Sequence, residues 1–330
     1  MSENKYLNKK TKRDEKINER EKAEKESIEN KNINKEQKLK ENYILGKIMV
    51  KYKLNQRIIN SNKENEKDIK ACEIYINNEK IDFTYFYSFP KTGNYKIKYV
   101  FTKILNLTKY MFSDCDSITS LDLSNFDSGS VTNMDYMFSY CKSLISLNLS
   151  NFNTKNVTSM EYMFNNCRSL ISLNVSNFIT QNVTRMKNMF SGCYLLKSLD
   201  LSNFNTEKVN NMSSLFHNCK SLISLDLSGF NTQNVSNMSY MFFDCKSLKI
   251  LDLSNFNTQN VKLFNCMFRN CFSLISLNLS NFNTQNIEDM GRMFYLCKSL
   301  ISLDLSNFNT KKVTYMYAMF YGCKSLISLD

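Results

Sequence analysis

Nine cysteines, Cys115, Cys141, Cys167, Cys193, Cys219, Cys245, Cys271, Cys297 and Cys323, follow one another at intervals of 26 residues without an insertion. A column of thiols can form disulfides, bind a soft metal or act as nucleophiles. Bridging needs Cα atoms about 4.4–6.8 Å apart, which stacked neighbours would meet. The nine are odd in number, however, and each stands among apolar residues. For a metal, Cys266 and Cys271 are the only close pair, with no CxxC spacing, and the chain has a single histidine, His217. That histidine falls at a variable position (LFHNC) which the pattern directs outward. The column therefore reads as a structural ladder of small, reduced, buried side chains. No catalytic residue, metal or cofactor is expected.

Two further columns are polar. Asp122, Asn148, Asn174, Asp200, Asp226, Asp252, Asn278 and Asp304 recur between serines, as in SLDLS and SLNLS. Asp200, Asp226 and Asp252 lie on consecutive periods, where they could share a cation such as calcium. A solvated ladder is the simpler reading, and the row is a candidate interaction surface. Directly after the cysteines come Lys142, Arg168, Lys220, Lys246, Lys298 and Lys324, interrupted by Asp116, Tyr194 and Phe272. This basic ridge would meet an acidic partner or keep the array soluble.

The elements that carry these columns follow from periodicity. In the period that starts at Met134, the apolar residues Met134, Met137, Phe138, Cys141 and Leu144 fall at i, i+3, i+4, i+7 and i+10, the spacing of one helical face. Leu147 and Leu149 then alternate with Ser146, Asn148 and Ser150, the pattern of a short strand with one buried face. A single period offers too little burial to order itself, so neighbours must stack. The expectation is an α/β solenoid over residues 105–330, about eight repeats with the last incomplete, each contributing one short parallel β-strand and one short helix. Residues 42–104 alternate β-branched and aromatic with polar residues, as in YILGKIMV and NYKIKYVF, and PKTG marks a turn; they predict a small antiparallel β cap on the first coil. Residues 1–41 are charged, with no heptad, and predict a solvated helix or a disordered tail.

The recurring phrase CKSLISLDLSNFNT..V..M..MF..C resembles the leucine-rich repeats of the BspA-like branch, found in bacterial surface proteins and in protists. It departs from ordinary leucine-rich repeats by carrying Phe, such as Phe152, where a buried asparagine ladder is expected. The resemblance implies a right-handed leucine-rich-repeat coil with the Asp/Asn row on its concave face. It also implies a binding surface, with adhesion to host, matrix or cells in many relatives.

The net charge of +12 is concentrated in residues 1–108, where 25 Lys/Arg stand against 16 Asp/Glu. The signs are interleaved, which describes a solvated face better than a nucleic-acid site, so no nucleic acid is expected. As written, the chain shows no secretory signal and no transmembrane segment. A cytoplasmic, non-enzymatic protein–protein scaffold is the first expectation, and a surface adhesin the second. A last coil ending at SLISLD would leave an open edge, suited to end-to-end self-association. Denatured protein should titrate close to eleven free thiols, the full cysteine content; a value near one or three would show that the column is bridged.

Overall fold

The computed structural model describes residues 42–51 and 55–329, together with Lys22, Ala23, Lys25 and Ser27, which are helical and exposed. The rest of the charged tail, expected as helix or disorder, and Asp330 lie outside the described residues.

The N-terminal part is built from β1 (Tyr43–Val50), β2 (Asn55–Arg57), α1 (Glu66–Ile69), β3 (Cys72–Ile76), β4 (Glu79–Ile81), β5 (Phe86–Ser88) and β6 (Gly93–Phe101). Strict alternation makes β1 and β6 amphipathic: Ile44, Ile48, Ile97 and Tyr99 are buried, whereas Leu45, Lys47 and Lys96 face outward. β1 pairs antiparallel with β6 on one side and with β7 (Ile118–Asp122) on the other, and β7 pairs parallel with β8 (Ser146–Asn148). The resulting six-stranded sheet, ordered β4-β3-β6-β1-β7-β8, joins the N-terminal strands to the first repeats without a break. Gly46 sits at the crossing, where an added Cβ would lie 2.9 Å from Ile97 and 3.0 Å from Leu121. A side chain there would force these neighbours to shift.

Beyond this sheet the expected α/β solenoid, with its strand and helix in every period, is not what forms. Outside the N-terminal tail, α1 is the single helix among the described residues, and no repeat contains one. Strands are equally sparse: β9 (Ile250–Asp252) pairs with β10 (Ser276–Asn278) and β11 (Ser302–Leu303) with β12 (Ser328–Leu329), all parallel, whereas residues 172–174, 198–200 and 224–226 form none. The strands thus make one mixed sheet and three two-stranded ones rather than a continuous wall.

The i, i+3, i+4, i+7 spacing is realised by tight turns. Met137 N–H donates to the Met134 carbonyl (3.2 Å) and Cys141 N–H to Phe138 (3.1 Å), closing two successive turns. Both need a left-handed third residue, Tyr136 (φ 58°) and Tyr140 (φ 59°). The intervening donors go elsewhere: Met134, Tyr136, Phe138 and Tyr140 donate to Ser159, Glu161, Met163 and Asn165 of the next repeat, at 2.7–3.0 Å. Corner residues of such turns point inward at the same spacing as one face of a helix, so the apolar pattern is obeyed while the backbone bonds run between repeats. Single parallel bridges continue this through the array, from Leu107↔Asn133 to Asp289↔Tyr315.

Like residues consequently stack. The rings from Phe112 to Phe320 form a file with centroids 5.5–5.9 Å apart and planes within 14° of parallel. Phe126, Phe152, Phe178 and Phe204 form a second file at 6.1–6.4 Å. An asparagine row does exist, one residue ahead of this Phe: Asn177 Nδ2 donates to the carbonyls of Leu149 (2.8 Å) and Phe152 (3.1 Å) in the preceding repeat. Buried threonines bond in the other direction. Thr206 Oγ1 donates to the Asn231 carbonyl (2.9 Å) and accepts the Asn231 N–H (2.8 Å), and Thr180, Thr258 and Thr284 do the same one period apart. Thr206→Val removes both bonds while keeping the shape, and should destabilise the protein by about 1–3 kcal/mol in a denaturant titration. Thr206→Ser, which keeps the hydroxyl, should recover most of that loss.

Candidate functional site

The Asp/Asn row faces solvent, but each side chain has a local task. Asp122, Asn148, Asn174, Asp200, Asp226, Asp252, Asn278 and Asp304 each accept, through Oδ1, the N–H of the serine two residues on, at 2.9–3.1 Å. These bonds shape the turn that leaves the strand segment, a role Asp and Asn share because both offer a carbonyl-type oxygen. The backbone N–H groups of Ser202, Ser228 and Ser254, helped by their hydroxyls, hold Asp200, Asp226 and Asp252 below the ordinary carboxylate pKa. Among the described residues no group of three or more His, Cys, Asp or Glu is placed to hold a metal ion.

The basic column is interleaved with rings. Lys142 pairs with Asp116 at 2.9 Å. Tyr194 is bracketed by Arg168 (5.2 Å) and Lys220 (4.2 Å), and Phe272 by Lys246 (5.2 Å) and Lys298 (4.5 Å). The two aromatic interruptions therefore act as cation–π platforms that hold their basic neighbours in place. Lys324, in the last repeat, is exposed.

The cysteines from Cys115 to Cys297 are buried, Cys323 is half-buried, and all eleven in the chain are unbridged. From Cys141 onward each Sγ points at a phenylalanine carbonyl 29 residues earlier, at 3.0–3.3 Å. Burial raises the thiol pKa throughout the column, to about 12 at Cys219. A thiol kept protonated in this way is a poor nucleophile and a poor metal ligand. His217 does not point outward: it is half-buried, with Nδ1 3.2 Å from Ser191 Oγ and its ring against Phe243. Loss of solvation lowers its pKa, and Ser191 is itself buried.

One row escapes the sequence reading. Ile145, Ile171, Ile223, Ile275 and Ile301, four residues past their cysteines, are 44–53 % exposed. Lys197 and Lys249 interrupt the file, Thr119 begins it and Ile327 ends it, and beside Lys249 the exposed Ile250 replaces the usual serine. The row is held rigidly, since Ile145, Ile275 and Ile301 donate their N–H to Thr119, Lys249 and Ile275, each 26 residues back, at 2.8–3.5 Å. Its signal lies in the phrase SLISLD, where a leucine–isoleucine pair precedes the strand; the pair has only one inward place, and Leu144 takes it.

Residues 105–222, 195–277 and 252–328, which together span most of the repeats, match the family described as Mycoplasma protein of unknown function, DUF285. The chain belongs to this family. No curated protein and no solved structure matches it. The DUF285 match starts at Leu105, two residues before the first inter-repeat bridge at Leu107, and leaves out the N-terminal strands.

The lowered pKa values of the Asp row carry a pH dependence. A carboxylate whose pKa is lower in the folded than in the unfolded chain stabilises the fold above its unfolded pKa, and the effect is lost as pH falls through the native value. The triple variant Asp200→Asn, Asp226→Asn and Asp252→Asn keeps the Oδ1 acceptor, as Asn148 does naturally, and should fold normally at neutral pH. Between about pH 4 and pH 2 its melting temperature should fall less than that of the unaltered protein. Equal acid slopes would show that the serine N–H bonds give these carboxylates no stabilising role.

Proposed function

We propose that this protein is a non-catalytic scaffold that binds other proteins through the exposed face carrying its isoleucine row. The observation that supports this best is the row itself: aliphatic side chains half in water, on backbone already fixed by inter-repeat bonds, flanked by hydroxyl and Asp/Asn side chains. Soluble surfaces rarely repeat an apolar residue in file without a partner to cover it. A pre-ordered surface also loses little conformational freedom on binding. A non-catalytic role is supported by the protonated, buried thiols and by a His217–Ser191 contact in which the serine is buried, the histidine is half-buried and, among the described residues, no carboxylate is hydrogen-bonded to the imidazole. The repetition suits a partner that is itself repetitive or multivalent.

The repeat phrase favours a second reading. Its likeness to BspA-like repeats supports a cell-surface adhesin, using the same face against host, matrix or neighbouring cells. The scaffold reading places the protein in the cytoplasm, and the adhesin reading on the cell exterior. Among the described residues no helix is long and apolar enough to cross a membrane, which leaves both readings standing.

Replacing Ile145, Ile171, Ile275 and Ile301 with serine should leave the melting temperature nearly unchanged, because these side chains already meet water. The same variant should lose a cross-linked partner that the unaltered protein captures from its source cells, and an unchanged capture would overturn the proposal. Protease treatment of intact cells separates the readings: digestion from outside supports the adhesin, and protection supports the scaffold.

A further inference from the structure

Where the N-terminal strands meet the first repeats, the outer face of the six-stranded sheet forms a groove of about 710 Å³. A second hollow of about 580 Å³ adjoins it and shares Lys47, Asn78, Lys96 and Thr119 with it, so the two are continuous. Its floor is apolar, with Leu45, Met49 and Ile145 among the lining residues, and Leu45 is 42 % exposed. One wall is cationic. Lys47 and Lys96 stand directly opposite each other across the β1–β6 pair, and Lys98 follows two residues on, opposite Leu45 and Tyr75. The other wall carries Ser120, Ser146 and Asn148.

Like charges placed opposite each other on one sheet face destabilise it. Among the described residues, neither lysine of this pair is neutralised by a carboxylate in contact with it. No ion pair among the described residues involves Lys47, Lys96 or Lys98. Glu73, on the same sheet, is taken by Lys80 at 2.6 Å and by Tyr75. Asp122, which also lines the groove, already accepts from Ser124 N–H and Asn148 Nδ2. The channel is thus a cationic cleft above an aliphatic floor, and at Ile145 it opens onto the isoleucine row. The protein's own tail is a poor occupant, because residues 1–41 carry 13 Lys/Arg against 10 Asp/Glu.

From this we infer that the groove binds an extended segment of a partner protein in which acidic residues adjoin aliphatic ones, the carboxylates meeting Lys47 and Lys96 and the apolar part continuing over Leu45 and Ile145 toward the row. The inference rests on the protein-binding reading above and adds to it a place and a charge.

The test uses the full chain and a fluorescent peptide with a run of glutamates followed by valines and threonines, read by anisotropy. A matched peptide with lysines for glutamates is the control. Expected are binding of the acidic peptide only, weakening as salt is raised, and a loss of about tenfold in affinity or more for the Lys47→Glu/Lys96→Glu double variant. The single variant Lys47→Glu adds a readout of opposite sign: it puts a carboxylate opposite Lys96, so the melting temperature should rise while peptide affinity falls. Equal binding of both peptides, or an unaffected double variant, overturns the inference. So does displacement of the peptide by octanoate at comparable concentration, which would identify a small-carboxylate site. Ile275→Ser/Ile301→Ser, far along the row, should leave peptide binding unchanged. A failure of partner capture through the row is therefore distinguishable from a failure of this groove.

Discussion

The backbone of each repeat is completed by its neighbour, and nearly everything else follows from that constraint. In an α-helix a peptide N–H finds its acceptor four residues back, whereas here alternate N–H groups reach the repeat ahead, as Phe138 does to Met163 and Phe164 to Met189. A buried amide without a partner is costly, so one repeat cannot shift against the next by even a single residue without breaking a whole set of bonds. This explains why a spacing of 26 is kept across every cysteine from Cys115 to Cys323. It also explains why files of like side chains form: once the backbone fixes register, Phe must lie on Phe and Cys over Cys.

Fixed register also assigns work to residues that appear decorative. The polar positions of a repeat are mostly acceptors and donors for turns and for the adjoining repeat. Asn177 ties back to Leu149 and Phe152, Thr206 reaches forward to Asn231, and Asp226 caps the turn at Ser228. Asparagine and threonine suit these places because a short side chain with a fixed polar atom loses little rotamer freedom when bonded. The high asparagine content of the repeats therefore has a structural cause, whatever else shapes the composition. The side chains left without such a task include the isoleucine row and Lys47 and Lys96 of the groove.

The period, the inward residues and the apolar setting of the thiols are legible in the sequence, since they depend only on residue type and spacing. The choice of tight turns over a helix is not, and the reason is physical. Met134, Met137, Phe138 and Cys141 satisfy a helical face and a pair of tight turns equally well, because both bring the chain round in three to four residues. The discriminating sign is the residue before each cysteine, which is Asp114, Asn166, Gly192, Asn218, Asp244, Asn270 or Gly322 in most repeats, types that tolerate a left-handed backbone. Tyr140 and Leu296 occupy the same conformation and obscure the rule. The isoleucine row was hidden for a different reason: an aliphatic residue beside a buried leucine looks like core until the fold shows that the inward place is filled. His217 was misplaced by the same logic in reverse, as a polar ring assumed to face water that instead lies against Phe243.

The N-terminal strands do more than close one end. β1 supplies β7 with an antiparallel neighbour, so the first repeat receives on that side the bonds that other repeats receive from one another. A strand that only covered an edge would need no charge, and a lysine facing solvent there would usually be read as protection against unwanted pairing. Lys47 is on neither edge: it lies in the middle of a six-stranded sheet, with Lys96 on one side and Ser120 on the other. Edge protection therefore does not account for it. Nor does solubility, which any exposed loop could serve without setting two cations opposite each other. The location that remains distinctive is the junction itself, where the face of the repeats meets a surface of different chemistry. A repetitive array offers a partner many equivalent registers, and a charged cleft at one end is the feature that would select among them.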